Sequence, residues 1–421
     1  MILKNIDYLI TQNPNRDILR NVDVVVDDGK IKSIGYDLAG EPEVDCDGQA
    51  VLPGLINGHT HLELTGRKGL SDDKPLFRWL RETNETPVGD DWKYNAVALS
   101  LIELLRSGTT CVYDCYNSDR KSIRALRDAG IRASLSAYLI DGNTGDKEQI
   151  ESQLAEAELL CERLEGDPRL TPALGPHSIY NCSGTYLERI ADVAQQRDLP
   201  VHIHLAESEK EREMCLEAHG QSPTEYLHDR GILETKVIAA HGVHLDEDEL
   251  ELLSEDGAGV VHCPCSNMKL GVGVAKLDGL REAVDVGIGT DGAATNNNVN
   301  ILEEAKVASL LQKLDDPRTA TAQQLLDHLT IEGAAALGRA NEIGSIETDK
   351  KADLICLDLA EPTLAPRMGE RGLISNIIFG FNGPVQRVIV GGDVVLSNGR
   401  VLGLNRKTVV RNLQRAVDRM E

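Results

Sequence analysis

The stretch Val51-Leu52-Pro53-Gly54-Leu55-Ile56-Asn57-Gly58-His59-Thr60-His61 is a short apolar run that ends in two histidines one residue apart. Side chains alternate along a strand with a period of two, so a strand ending here sets both imidazoles on one face. Two neutral imidazoles converging at a strand end are half of a metal site. His-x-His also occurs without metal. Its meaning rests on what the rest of the chain brings to the same place.

Seven further apolar runs follow, at 109–114, 132–141, 170–176, 199–205, 237–240, 258–262 and 284–290. Amphipathic stretches at 94–107, 148–164, 185–197, 223–230 and 246–254 separate several of them. Strands alternating with helices predict a parallel sheet. Eight such units predict a closed (β/α)₈ TIM barrel over 51–345. An open doubly wound sheet would carry a glycine-rich phosphate turn after its first strand, and none is present. The two ends of the chain read differently. Ile2–Ile10, Val22–Val26 and Lys30–Ile34 are short β-like runs, with the hairpin signal Asp27-Asp28-Gly29 between the last two. β character returns at 353–357, 385–390 and 394–396. Segments 1–50 and 346–421 are therefore expected to pair into one small β-sandwich domain beside the barrel.

Composition narrows the function. The formal charge is 44 − 68 = −24, which argues against nucleic acid or an anionic membrane as partner. No apolar run approaches the roughly 20 residues that span a bilayer, and the N-terminal MILKNIDYLITQN lacks the layout of a signal peptide. A cytoplasmic location is expected. The excess of acid with few lysines suits either a salt-rich cytosol or an ordinary acidic protein. The nine cysteines are scattered and fit no zinc-knuckle spacing, so they read as reduced thiols.

In a barrel of this type the chemistry lies at the C-terminal ends of the strands. Strand one ends at His59 and His61, strand four at His177, strand five at His204 with Glu207 three residues on, strand six at His241, strand seven at His262 and strand eight at Asp291. Histidine is only 11 of 421 residues, so this placement marks one site at the barrel mouth. His202 shares the face of His204 and is expected to fill a barrel layer, with metal ligation as the alternative. His219, His228, His244 and His328 are expected to be surface residues with no part in the site.

The segments PGLINGHTHLELT, GPHSIY, HIHLAES, AAHGVHL and GTDGAATNNNVN resemble the amidohydrolase superfamily. The branch they are most similar to contains the methylthioadenosine and S-adenosylhomocysteine deaminases and the triazine chlorohydrolases. The resemblance covers nearly the whole chain. It implies that His59, His61, His204 and Asp291 hold one divalent metal, Zn²⁺ first and Fe²⁺ or Mn²⁺ as alternatives. It implies Glu207 as proton shuttle, His241 as the group that orients the attacking water, and His177 as a substrate contact. Asp291, beside the metal and the water, can also accept the water proton. The implied activity is hydrolytic deamination of a cyclic amidine in a purine-like or related N-heterocycle, base or nucleoside: hydroxide formed at the metal attacks and ammonia leaves. Chloride displacement from a triazine-like ring is the alternative within the branch. A non-catalytic scaffold is the alternative outside it, and a scaffold has no use for Glu207. The family resemblance also implies a homo-oligomer acting on a small heterocycle.

One position departs from the pattern. The adenosine-type deaminases carry an acidic residue just before a Trp-Leu pair, and it holds the ribose hydroxyls. Here the stretch reads Pro75-Leu76-Phe77-Arg78-Trp79-Leu80. Arg78 stands in place of the acid beside Trp79, and Glu82, four residues on along a helix, is the nearest substitute. Arg67, Lys68, Arg78 and Arg81 make this loop locally basic, which fits either an anionic substrate or a solvated helix face. The arginines that hold a homocysteine carboxylate have no counterpart near Ala137 and Lys147.

Overall fold

The computed structural model describes residues 1–70, 72–85, 92–115 and 119–419. Its centre is a ring of parallel strands: β1 (Leu55–His61), β2 (Thr109–Cys115), β3 (Arg132–Leu139), β4 (Leu170–Pro176), β5 (Pro200–Leu205), β6 (Lys236–His241), β7 (Gly259–His262) and β8 (Asp285–Ile288, resumed at Asp291–Gly292). Each strand pairs with the next. The ring closes where Asp291 and Gly292 pair with Thr60 and His61 of β1. This is the (β/α)₈ barrel. Each of β1 and β2 is buried over its full length, as a parallel strand covered on both faces must be. Gly289 is what permits the closure: a Cβ there would lie 2.8 Å from the His59 carbonyl oxygen.

The apolar run 51–58 is divided by the fold. Gln49–Pro53 pairs antiparallel with Leu354–Asp358 in a seven-stranded sheet outside the barrel, and β1 begins only at Leu55. Gly54 is the break, packed so closely on the Thr110 side chain that no Cβ fits. A second, four-stranded sheet is formed by residues 2–6, 22–27, 30–35 and 43–45. The two sheets enclose a separate core that includes Leu3, Val24, Ile31, Val51, Leu354 and Ile389. The Asp27-Asp28-Gly29 signal forms a hairpin with positive φ at Asp28 (47°) and Gly29 (71°), as a tight two-residue turn requires.

The segment 346–421 is not all β. Helix Gly369–Phe379 joins the main hydrophobic core, and helix Arg406–Val417 packs Leu413 and Ala416 on Trp92 and Ala96 beside the barrel. The barrel helices fall close to their periodic patterns, at Lys93–Arg106, Lys147–Leu164, Gly184–Arg197, Pro223–Asp229 and Glu247–Glu255. Several start on a side-chain cap, such as Ser183 accepting from the Tyr186 amide. Among the described residues, no helix is long and apolar enough to cross a membrane.

Candidate active site

Strand alternation delivers the first pair. His59 and His61 point the same way from the end of β1, and His59 has no exposed surface. Asp291 Oδ1, from the resumed end of β8, lies 3.2 Å from His61 Nε2 and 3.5 Å from His59 Nε2. His204, ending β5, sets its Nε2 3.3 Å from His61 Nε2. His241, ending β6, offers a nitrogen within 4.8 Å of donor atoms on His59 and His204. Two of these residues stand in the left-handed backbone region, His241 at φ 79° and Asp291 at φ 55°. For residues other than glycine that conformation costs roughly 1–3 kcal/mol, and it concentrates at functional sites.

Hydrogen bonds fix the tautomers. The His204 Nδ1–H donates to the His177 carbonyl at 2.8 Å, which leaves a lone pair on Nε2. The His241 Nδ1–H donates to Asn267 Oδ1 at 2.8 Å, with the same consequence. His59 Nε2 is buried and makes no hydrogen bond among the described residues. Burial drives the imidazoles neutral: His59 and His177 are each pushed down to about 3, and His204 lies well below its ordinary value. Burial alone would raise Asp291, but the adjoining His59 and His61 imidazoles hold it well below the usual carboxylate range. Its Oδ2 also accepts from Ser266 Oγ at 2.5 Å and Thr295 Oγ1 at 2.9 Å, and its Oδ1 from the Gly292 amide at 2.8 Å. Several imidazole nitrogens and one ionised carboxylate thus converge in a buried space, with His61 Nε2 and His204 Nε2 3.3 Å apart and His59 Nε2 without a hydrogen-bond partner among the described residues. A divalent cation of the Zn²⁺ type relieves that arrangement, and three nitrogens with one oxygen suit its chemistry.

Glu207 stands just outside this donor set. Burial, then the Asp291 charge, pushes its carboxyl up to about 8. Its Oε1 is 3.9 Å from His241 Nε2. Both residues line a cavity of about 270 Å³ that opens from the cluster, together with His61, His177, His204 and Asp291. A larger cleft of about 620 Å³, at Asn95, Asn412 and Arg415, is shallow and lined by no histidine.

The far wall of the cavity comes from helix Leu76–Glu85, which presents Leu76, Trp79, Leu80 and Thr83. Arg78 and Glu82 do not line the cavity. Arg78 Nε bonds Glu82 Oε1 at 2.8 Å, Lys74 also bonds Glu82, and together these cations hold the Glu82 carboxyl down to about 2. The carboxylate that does face the cavity beyond the cluster is Glu63, with Lys93 at 3.4 Å.

Other histidines differ in part from expectation. His328 is buried beneath β8, its Nδ1 shared between Glu332 Oε2 at 2.8 Å and the Val286 carbonyl at 3.0 Å. His262 is fully buried below the mouth, lines no part of the cavity, and is pushed down to about 3 by burial. His202 packs in the barrel layer as expected, and it also bonds His59 Nδ1 at 2.9 Å. Glu63, Ser266, Asn267 and Thr295 went unmarked in the sequence. The available signal was their nearness to strand ends: Glu63 follows β1, Ser266 and Asn267 follow β7, and Thr295 follows β8.

Comparison with known proteins gives the same family from three sides. The model of the amidohydrolase family matches residues 50–395. A 5-methylthioadenosine/S-adenosylhomocysteine deaminase of Thermodesulfovibrio yellowstonii is 36% identical over 409 residues, covering 93% of this chain and 92% of the relative. A 5'-deoxyadenosine deaminase of Methanobrevibacter smithii is 37% identical, covering 94% of this chain and 93% of the relative. The crystal structure of an adenosine deaminase from Xanthomonas campestris with bound zinc superposes with a TM-score of 0.92 at 31% identity, covering 100% of this chain and 98% of that one.

Proposed function

This chain belongs to the amidohydrolase family, and from that premise we propose that it is a metal-dependent aminohydrolase that removes ammonia from the cyclic amidine of an adenosine-type nucleoside or related N-heterocycle. The observation that carries the reading is Glu207: a buried carboxyl at the cavity wall, 3.9 Å from His241 Nε2, outside the donor set yet beside it. His59, His61, His204 and Asp291 would hold the ion, Zn²⁺ by preference. Once bound, it would supply Lewis acidity and lower the pKa of water toward neutrality.

The remaining steps belong to the chain. Glu207 gives its proton to the ring nitrogen of the amidine as the adjacent carbon takes up water oxygen, so the carbon meets the nucleophile with its electron pair drawn away. It then carries one proton of the incoming water to the exocyclic amine and takes back the other as the carbonyl forms, so that ammonia departs and the Glu207 carboxyl is restored. His241, with Nδ1 held by Asn267, keeps the Nε2 lone pair aimed at this space and orients the water. Trp79, Leu76 and Leu80 exclude solvent and take the flat ring, while His177 borders it near the cluster. Neither Arg78 nor Glu82 is placed to touch a bound substrate, so Glu63 is the carboxylate we assign to hydroxyl or amine groups on a substituent. We further infer a cytoplasmic homo-oligomer, to be checked by fractionation and by sedimentation of the purified protein.

An ammonia-release screen on the zinc-loaded protein tests the reading. Adenosine, 5'-deoxyadenosine and methylthioadenosine are expected to release ammonia faster than guanine, cytosine or pterin derivatives. Chloride release from a chlorotriazine with no ammonia from any aminopurine would overturn it.

A further inference from the structure

We propose that His202 and Cys115 are positioning residues that fix the metal-facing tautomer of His59 through a chain of neutral hydrogen bonds. The inference rests on the reading of His59 as a ligand and goes on to ask what holds that ligand.

A histidine that points a lone pair from Nε2 must carry its proton on Nδ1, and that N–H needs an acceptor. Metal-binding histidines usually give it to a carboxylate, a backbone carbonyl or water. His59 Nδ1 instead meets His202 Nε2 at 2.9 Å. If His59 donates there, His202 must keep its own proton on Nδ1. That N–H has two partners, Cys115 Sγ at 3.3 Å and Ser136 Oγ at 3.4 Å. On that assignment the protons run from His59 to His202 to the thiol and hydroxyl beneath, and Cys115 Sγ also stands 3.8 Å from His59 Nδ1. All four side chains are buried, with His59 and Ser136 fully so, and the two imidazole planes meet nearly edge to face at 82°. Rotation of His59 would break the chain, so the strand pair also locks its ring angle.

The chemistry of this arrangement differs from a carboxylate behind the histidine. A carboxylate would add a second negative charge close to the ion. A neutral imidazole fixes the tautomer and adds none. Asp291 is then the sole anion in the donor set, and the ion keeps more of its Lewis acidity. Thiol and hydroxyl are acceptors without charge, which extends the same property one shell outward.

The test measures metal binding and its geometry apart from turnover. Wild type, His202→Phe, His202→Gln and Cys115→Ala are stripped of metal and titrated with Zn²⁺ against a chromophoric chelator, and the Co²⁺ forms are examined by visible absorption. His202→Phe keeps the ring packing and removes the acceptor. It is expected to weaken Zn²⁺ binding by about 10–100-fold and to shift the Co²⁺ bands. His202→Gln, which keeps an acceptor for Nδ1–H, is expected to recover most of the affinity. Cys115→Ala is expected to have the smaller effect, since Ser136 remains as acceptor. Equal Zn²⁺ affinity and identical Co²⁺ spectra for wild type and His202→Phe would overturn the proposal. Loss of thermal stability in the metal-free form, with affinity unchanged in the folded fraction, would likewise reduce His202 to packing. Failure of wild type itself to bind Zn²⁺ or Co²⁺ would instead strike the ligand assignment on which the proposal stands.

Discussion

The two ends of the same barrel bury charge in opposite ways. At the base, Arg132 opens β3 and meets Asp353, which precedes the sandwich strand Leu354–Asp358. Their side chains are 1% and 3% exposed and bond twice, at 2.6 and 2.9 Å. Asp353 also accepts from the Gly391 amide at 2.7 Å, so the pair ties barrel to sandwich. At the mouth, like groups face each other: two imidazole nitrogens stand 3.3 Å apart, and His59 Nε2 makes no hydrogen bond among the described residues. The base satisfies its charges from within the chain. The mouth leaves lone pairs to be satisfied by something bound. Stability built at one end and chemistry at the other is the division expected for this fold.

That contrast can be broken most strongly at Glu207. Glu207→Gln keeps the shape and removes the transferable proton. It is expected to lower kcat by about 10³-fold, within the range for loss of a general acid–base group, while zinc content and melting temperature stay at wild-type values. Activity retained in this variant would end the division, since the mouth would then be working without its proton carrier.

The next largest effect lies at the base. Arg132→Met leaves Asp353 charged, buried and without its main partner, which is expected to cost about 3 kcal/mol in urea unfolding. The folded fraction should keep wild-type kcat. The double variant Arg132→Met, Asp353→Leu is expected to recover much of the loss, because an apolar pair of similar volume avoids the desolvation of both ions. A fall in kcat at full folding would mean that the base shapes the mouth more directly than the contrast allows.

These two ends were unequally legible in the sequence. His59, His61, His204, His241 and Asp291 each sit at a strand end, and a period-two strand gives each residue a direction once the barrel is inferred. Ser266, Asn267 and Thr295 act through helices that fold back after β7 and β8, and no local pattern says which hydroxyl will meet Asp291. The Arg132–Asp353 pair joins residues 221 apart, and its members look like ordinary surface charges in the chain. Gly54 reads as part of one apolar run, because only the sandwich reveals that Gln49–Pro53 belongs to another sheet. The helix at 76–85 is a case where more could have been read. Leu76, Trp79, Leu80 and Thr83 stand at i, i+3, i+4 and i+7, which fixes the inward face and leaves Arg78 and Glu82 outside it.

A smaller effect sharpens the picture of the base through pH. Burial would raise the Glu332 carboxyl, but bonds from His328 and Arg281 hold it down to about 2. The unfolded chain binds that proton near pH 4.5, so the stabilisation is full above this value and is lost as pH falls toward 2. Glu332→Gln is expected to reduce stability at pH 7 by on the order of 2 kcal/mol, with the gap from wild type closing in acid. The check is the difference between the two urea midpoints across that window. A gap independent of pH would assign the loss to packing rather than to the charge.

The least effect is expected at Arg78, and its smallness is informative. Its side chain is 62% exposed, pairs with Glu82 one turn along, and points away from the cavity. If specificity resides in the inner face of the helix, Arg78→Ala should change KM for adenosine-type substrates by less than about twofold, as expected for loss of an exposed ion pair. Trp79→Ala, one residue along but facing inward, should raise KM by about tenfold, since a ring that covers the substrate's flat face contributes on the order of 1–2 kcal/mol. The two variants differ in helix phase and hardly in sequence position. If Arg78→Ala proved the more damaging, the helix would have to turn on substrate binding, and the basic loop would recover the anion-binding role that its composition first implied.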